Sequence, residues 1–133
     1  MTSQVPDDAS IPDSTVLWRR INPNWWVRDE SEAGRRLSSQ AFHNSPDGTG
    51  TSVMIAHETT EAAVLRGYED YGLAALPARL PRDLGQAVVR VPLPDMPAHA
   101  QIEGHKSHSV KKALAAGCAI VRAPAGRPPQ NPA

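Results

Sequence analysis

The sequence predicts a single α+β domain of short strands, antiparallel or mixed, with about two helices. Three observations carry that prediction. The chain has 133 residues, close to the size of one domain at roughly 100–200 residues each. Its apolar residues gather in short runs that hold Val, Ile and Trp and are bounded by Pro, Gly and Asn, the pattern of strands between turns. Its helical stretches do not alternate regularly with those runs, as a doubly wound α/β fold requires.

Taken in order, residues 15–21 (TVLWRRI) have the β-branched and aromatic content of a strand, ended by Asn22-Pro23-Asn24 because Pro cannot donate to a ladder and Asn favours turns. A polar loop follows to Arg36, interrupted by Trp25-Trp26-Val27, and residues 37–42 read as a short extended piece. Residues 44–51 (NSPDGTGT) form a turn cluster, and residues 52–57 (SVMIAH) the next strand. Thr59 or Thr60 caps a helix through Leu65, with Glu61 in its first turn and Gly67 beyond its end. Residues 73–78 and 86–91 (QAVVRV) read as strands around one helical turn at 81–84, where Pro81 suits a first-turn position. Pro92, Pro94 and Pro97 stiffen the next connection, and residues 98–103 alternate weakly as a strand. Ser107 caps a helix to Ala116 with Gly117 past its end, and residues 118–121 make a last strand.

The ends differ in composition from this unit. Residues 1–14 are polar and acidic with two prolines, and residues 122–133 are almost entirely Pro, Ala and polar. Such segments bury too little apolar surface to offset an ordering cost of roughly 1–2 kcal/mol per residue. Disordered tails are therefore expected at 1–14 and 122–133, flanking a globular domain at 15–121.

Composition also excludes function classes. Net formal charge is zero, which argues against nucleic acid or an anionic membrane as partner, while a protein partner stays open. No apolar run approaches the ~20 residues of a membrane span, and the N-terminus lacks the basic-then-apolar layout of a secretion signal. One cysteine, Cys118, within the apolar stretch GCAIV, reads as a buried small hydrophobe in a reducing compartment. A cytoplasmic location is expected.

The strings LWRRI, GRRLSSQAF, SVMIAHE, GLAALPARLPRDLGQAVVR and PAHAQIEG with KSHSV resemble a family of uncharacterised small bacterial proteins. That resemblance covers nearly all of residues 15–121 and implies a free-standing domain with no assigned activity. A second resemblance concerns order: a strand carrying Arg19, then Gly-Arg-Arg-x-Ser-Ser at 34–39, then an apolar strand ending in Ala56-His57-Glu58. This is similar to RES-type toxins, ADP-ribosyltransferase-like enzymes that consume NAD. It implies that Arg19 grips the phosphates or ribose of NAD, that Ser38 or Ser39 holds the nicotinamide side, and that Glu58 stabilises positive charge at the ribose. Without it, Arg19 and Arg20 face solvent, Ser38 and Ser39 turn the chain, Glu58 caps a helix, and no cofactor is expected. The two functions carried forward are a ligand- or protein-binding module and, as the alternative, a small NAD-consuming enzyme.

Three further features bear on ligands. Strand, turn and helix start at Gly104-His105-Lys106-Ser107 would aim free N–H groups at an anion, with Lys106, Lys111 and Lys112 adding charge; Lys106 and Ser107 are the anion-binding candidates. The histidines (His43, His57, His99, His105, His108) include no His-Glu-x-x-His run and no cysteine pair, so no zinc site is predicted. Trp25 and Trp26 are adjacent, so an extended segment would send them to opposite faces, leaving one for ligand stacking or as a lid.

Overall fold

The computed structural model describes residues 6–28, 34–45, 48 and 50–124. Eight strands form, β1 (Val16–Ile21), β2 (Trp26–Arg28), β3 (Arg35–Leu37), β4 (Gly50–Ile55), β5 (Gly72–Pro77), β6 (Ala87–Arg90), β7 (His99–Glu103) and β8 (Ala119–Arg122), with helices α1 (Glu61–Val64), α2 (Arg79–Asp83) and α3 (His108–Ala116). Six strands make one sheet in the order β6-β7-β4-β1-β5-β8, while β2 and β3 pair apart from it. Every pairing is antiparallel. The α+β prediction is met.

Alternation assigns the faces. Leu17 and Ile21 of β1, Val53 and Ile55 of β4, and Ala100 and Ile102 of β7 point into one large core, closed by α3 through Leu114 and by Phe42. The alternate residues Trp18 of β1 and Met54 of β4, with Leu73 of β5, point the other way, into a smaller cluster with Val64 and Leu65 of the α1 region. Complete burial of a Val, Leu, Ile, Met or Phe side chain stabilises by about 1.5–3 kcal/mol, and more of them lie on the first face, so that face carries most of the stability.

The β1–β4 ladder is short. It pairs Leu17 with Ile55 and Trp18 with Met54, whereas β1 and β5 pair along their whole length from Val16↔Pro77 to Ile21↔Gly72. Gly72 permits β8 to come close, because a Cβ there would collide with the Arg122 carbonyl. The sheet thus parts between β1 and β4 in its middle.

Two expectations are corrected. Of the tail expected at 1–14, residues 1–5 lie outside the described residues and residues 6–14 are anchored instead of hanging free: Ile11 is 2 % exposed inside the first core. Asp8 N–H donates to Val88 O at 3.0 Å and Asp7 accepts from Val88 N–H at 2.8 Å, which covers the outer edge of β6. Arg82 binds Asp7 at 3.0 Å and Asp13 at 2.8 Å. Composition conceals this because one isoleucine and three ion or hydrogen-bond partners suffice. At the other end Arg122 belongs to β8 and Pro124 is buried; the expected tail at 125–133 lies outside the described residues. The second correction is at 37–42, where the extended chain stops at Leu37. Ser38 Oγ accepts the Gln40 N–H at 3.2 Å and Ser39–Phe42 winds into a 3-10 turn, a local side-chain bond outcompeting the ladder.

The helix caps follow prediction. Thr60 Oγ1 accepts from Ala63 N–H at 3.1 Å, and Ser107 Oγ from Val110 N–H at 3.2 Å. Among the described residues no helix is long and apolar enough to cross a membrane.

Candidate functional site

Arg19 lies on the first face between Leu17 and Ile21, so its guanidinium turns inward and not to solvent. Nε donates to Ala41 O at 2.8 Å and an η-nitrogen to Ser52 O at 2.9 Å, with the cation 5.2 Å from the Trp25 ring centre. It spans the gap where the β1–β4 ladder ends. Burial first, then the charge of Arg20, pulls it down to about 10, leaving it charged at neutral pH. Two of its N–H donors are taken by backbone carbonyls.

Ser38 and Glu58 of the RES-like set have partners of their own. Ser38 caps its 3-10 turn. Glu58, past the end of β4, accepts from Arg90 at 2.7 Å, and that hydrogen bond first of all holds its carboxyl below the ordinary range; the cap of α1 is Thr60, not Glu58. Of Arg19, Ser38, Ser39 and Glu58, only Ser39 lines either of the two cavities described next. The order of motifs along the chain is present, but these four side chains do not gather around one cleft.

Lys106 is also redirected. Gly104, at a φ of 139° that favours glycine, turns the chain so that the Lys106 ammonium folds back under β7. It donates to Asn44 Oδ1 at 2.7 Å, Ile102 O at 2.8 Å and Gly104 O at 3.3 Å, and burial pulls it down to about 8. An anion at the α3 start would meet the Ser107 cap without this charge, so the Lys106–Ser107 site is not formed as expected.

Two cavities bear on function, one on each face. The first, about 460 Å³, lies between the β2–β3 ribbon and α3. Trp26 and Leu37 pair across the ribbon and wall it on one side, with Ala115 and Cys118 on the other. Arg35, Arg36 and Lys112 border it together with Ser39. Among the described residues none of these three cations forms an ion pair. The tryptophans depart from strict alternation: Trp25 closes a 3-10 turn whose Asn22 cap accepts from Asn24 N–H at 2.9 Å, so both rings pack against the first core. Cys118 donates to Leu114 O at 3.3 Å, and burial pushes its thiol up to about 12; it is an inert wall group.

The second cavity, about 360 Å³, opens on the other face where β1 and β4 part. Arg20, Ser52, His99, Arg66, Asp95 and Tyr68 border it over a floor that includes Met54 and Met96. Arg20 Nε donates to Val64 O at 2.7 Å, and its guanidinium stacks 4.0 Å from the Tyr68 ring centre. His99 is 6 % exposed. Its Nδ1 lies 2.8 Å from Val91 O and its Nε2 3.0 Å from Ser52 Oγ. A carbonyl only accepts, so Nδ1 carries the proton; in the neutral ring Nε2 then accepts from the Ser52 hydroxyl.

The sequence names His99 only as one of five scattered histidines and Ser52 only as the start of a strand. Their meeting depends on β4 lying beside β7, in the register Met54↔His99 and Ser52↔Gln101. The available signal was parity: Ser52 alternates with the core residues Val53 and Ile55, and His99 with Ala100 and Ile102. Among the described residues no three His, Cys, Asp or Glu side chains gather as a metal site requires. Comparison with family models, curated proteins and solved structures finds no match, so the side-chain geometry is the ground for a functional reading.

Proposed function

We propose that the chain is a binding module for a small anion with a flat apolar part, of the mononucleotide type, received between the β2–β3 ribbon and α3. The observation that carries this reading is the set of three cations, Arg35, Arg36 and Lys112, bordering a cavity walled by Trp26 with no ion-pair partner among the described residues. An aromatic ring meets the π-face of a base, and guanidinium forks match phosphate oxygens. Ser39 adds a hydroxyl at the rim. NAD consumption is not carried forward, because Arg19 and Glu58 stand away from this cavity.

Amide shift mapping with adenosine monophosphate, and with inorganic phosphate alone, tests the reading. Shifts are expected at Trp26, Arg35, Arg36 and Ser39 and along α3 near Lys112, stronger with the nucleotide. At roughly 0.5–1 kcal/mol per exposed charge, Arg36→Ala with Lys112→Ala lowers affinity about tenfold. Binding weakens with salt, since exposed charges are screened over about 8 Å at physiological ionic strength. Shifts confined to the second cavity, or none with either probe, would overturn it.

A further inference from the structure

The second cavity brings together the parts of a nucleophilic site, independently of what the first cavity binds. A serine hydroxyl becomes a competent nucleophile when a base stands within hydrogen-bond reach and a third group fixes that base in the right tautomer. Ser52 Oγ and His99 Nε2 are 3.0 Å apart, and Val91 O holds the far nitrogen at 2.8 Å. The carbonyl plays the orienting part that a carboxylate plays in a triad. The base is nearly enclosed, whereas Ser52 is half-buried on the cavity wall. Both sit on rigid paired strands, and Arg19 ties down the Ser52 carbonyl from the opposite face at 2.9 Å.

We propose that Ser52 and His99 form an acyl-transfer dyad that hydrolyses esters of small carboxylic acids, preferring those with an anionic substituent. Ser52 Oγ attacks the ester carbonyl carbon while its proton passes to His99 Nε2. The tetrahedral oxyanion collapses, the carbon–oxygen bond to the alcohol breaks, and His99 returns the proton to the departing alkoxide. Water then attacks the acyl-serine with His99 again taking a proton, releasing the acid and restoring the hydroxyl. Arg20 and Arg66 border the same cavity as Ser52, together with Asp95, and Val64 O and the Tyr68 ring hold the Arg20 guanidinium in place. Positive charge from Arg20, and from Arg66 at the rim, meets the oxyanion and the anionic substituent. Met54 and Met96 supply an apolar floor for the acyl chain.

A fluorophosphonate reagent applied to the full chain tests the dyad, because it forms a stable bond to an activated serine oxygen and expels fluoride. Mass spectrometry is expected to place one adduct on Ser52, absent from the heat-denatured chain. Ser52→Ala, which removes one hydroxyl and leaves His99 Nε2 without that partner, lowers the melting temperature modestly, still unfolds cooperatively, and loses the adduct. His99→Gln slows labelling by about 100-fold or more, the scale of a general base. With p-nitrophenyl acetate, a burst of about one nitrophenolate per chain precedes slower turnover, and Ser52→Ala abolishes both. No adduct on Ser52 in the folded wild-type chain, or hydrolysis unchanged in Ser52→Ala, would overturn the proposal. Faster turnover of the acetate than of mono-p-nitrophenyl succinate would overturn the part given to Arg20 and Arg66.

Discussion

The two faces of the six-stranded sheet use the same strands for opposite ends. On the first face most inward residues are aliphatic, and the polar ones Arg19 and Thr51 are each tied to two backbone carbonyls. The cations of its cavity sit at the edge, on the ribbon and α3. On the second face the apolar cluster is small, and polar side chains stand on the strands themselves. The main core and the second cavity are therefore separated by parity along each strand. Groups at the first cavity act by charge near solvent, while those at the second are held by hydrogen bonds in fixed geometry. The first arrangement suits reversible binding, the second chemistry.

The comparison breaks most visibly through the first core. Ile11→Ala is expected to cost about 2–4 kcal/mol in urea or thermal unfolding, the range for deleting a fully buried isoleucine. A cost under about 0.5 kcal/mol would mean that the N-terminal segment does not close this face.

A smaller effect separates the two cavities. His99→Ala strands the Val91 carbonyl and the Ser52 hydroxyl, and should cost about 1–3 kcal/mol. Arg36→Ala at the first cavity should stay within about 0.5 kcal/mol, as for surface changes generally. Equal costs, read from the same melts, would remove the contrast between a built site and a charged rim.

The smallest effect concerns Glu58 and Arg90, a pair about one-third exposed on both sides. Glu58→Gln should cost no more than about 0.5 kcal/mol once solvent screening is allowed for. The sign follows from the lowered carboxyl. The folded state holds the charged form more tightly, so the contribution is present above the ordinary carboxylate range and lost as pH falls through the lowered value. Melts of wild type and Glu58→Gln should differ slightly at neutral pH and converge in acid.

How much was legible varies with the range of the interactions. Thr60 and Ser107 as caps, the strand at 16–21 and the turn after β7 follow from contacts within a few residues, and the sequence contains them. Strand ends slipped by one or two residues where a neighbouring turn competed, as at Ser38. Arg19 read as a solvent-facing or ligand-gripping group because its carbonyl partners at 41 and 52 are remote in sequence. Lys106 read as a helix-start cation because nothing local says that Asn44 lies beneath it.

By itself, then, the sequence determined the α+β class, the approximate places of most strands, the α3 helix and the zero net charge, all of which are local or compositional. Tertiary structure decided strand order, the burial of Ile11, the inward turn of Arg19 and Lys106, and the approach of Ser52 to His99 across 47 residues. Strand pairing is the physical reason: a period of two fixes which residues share a face, but not which strand lies alongside. That choice belongs to the packing of the whole core.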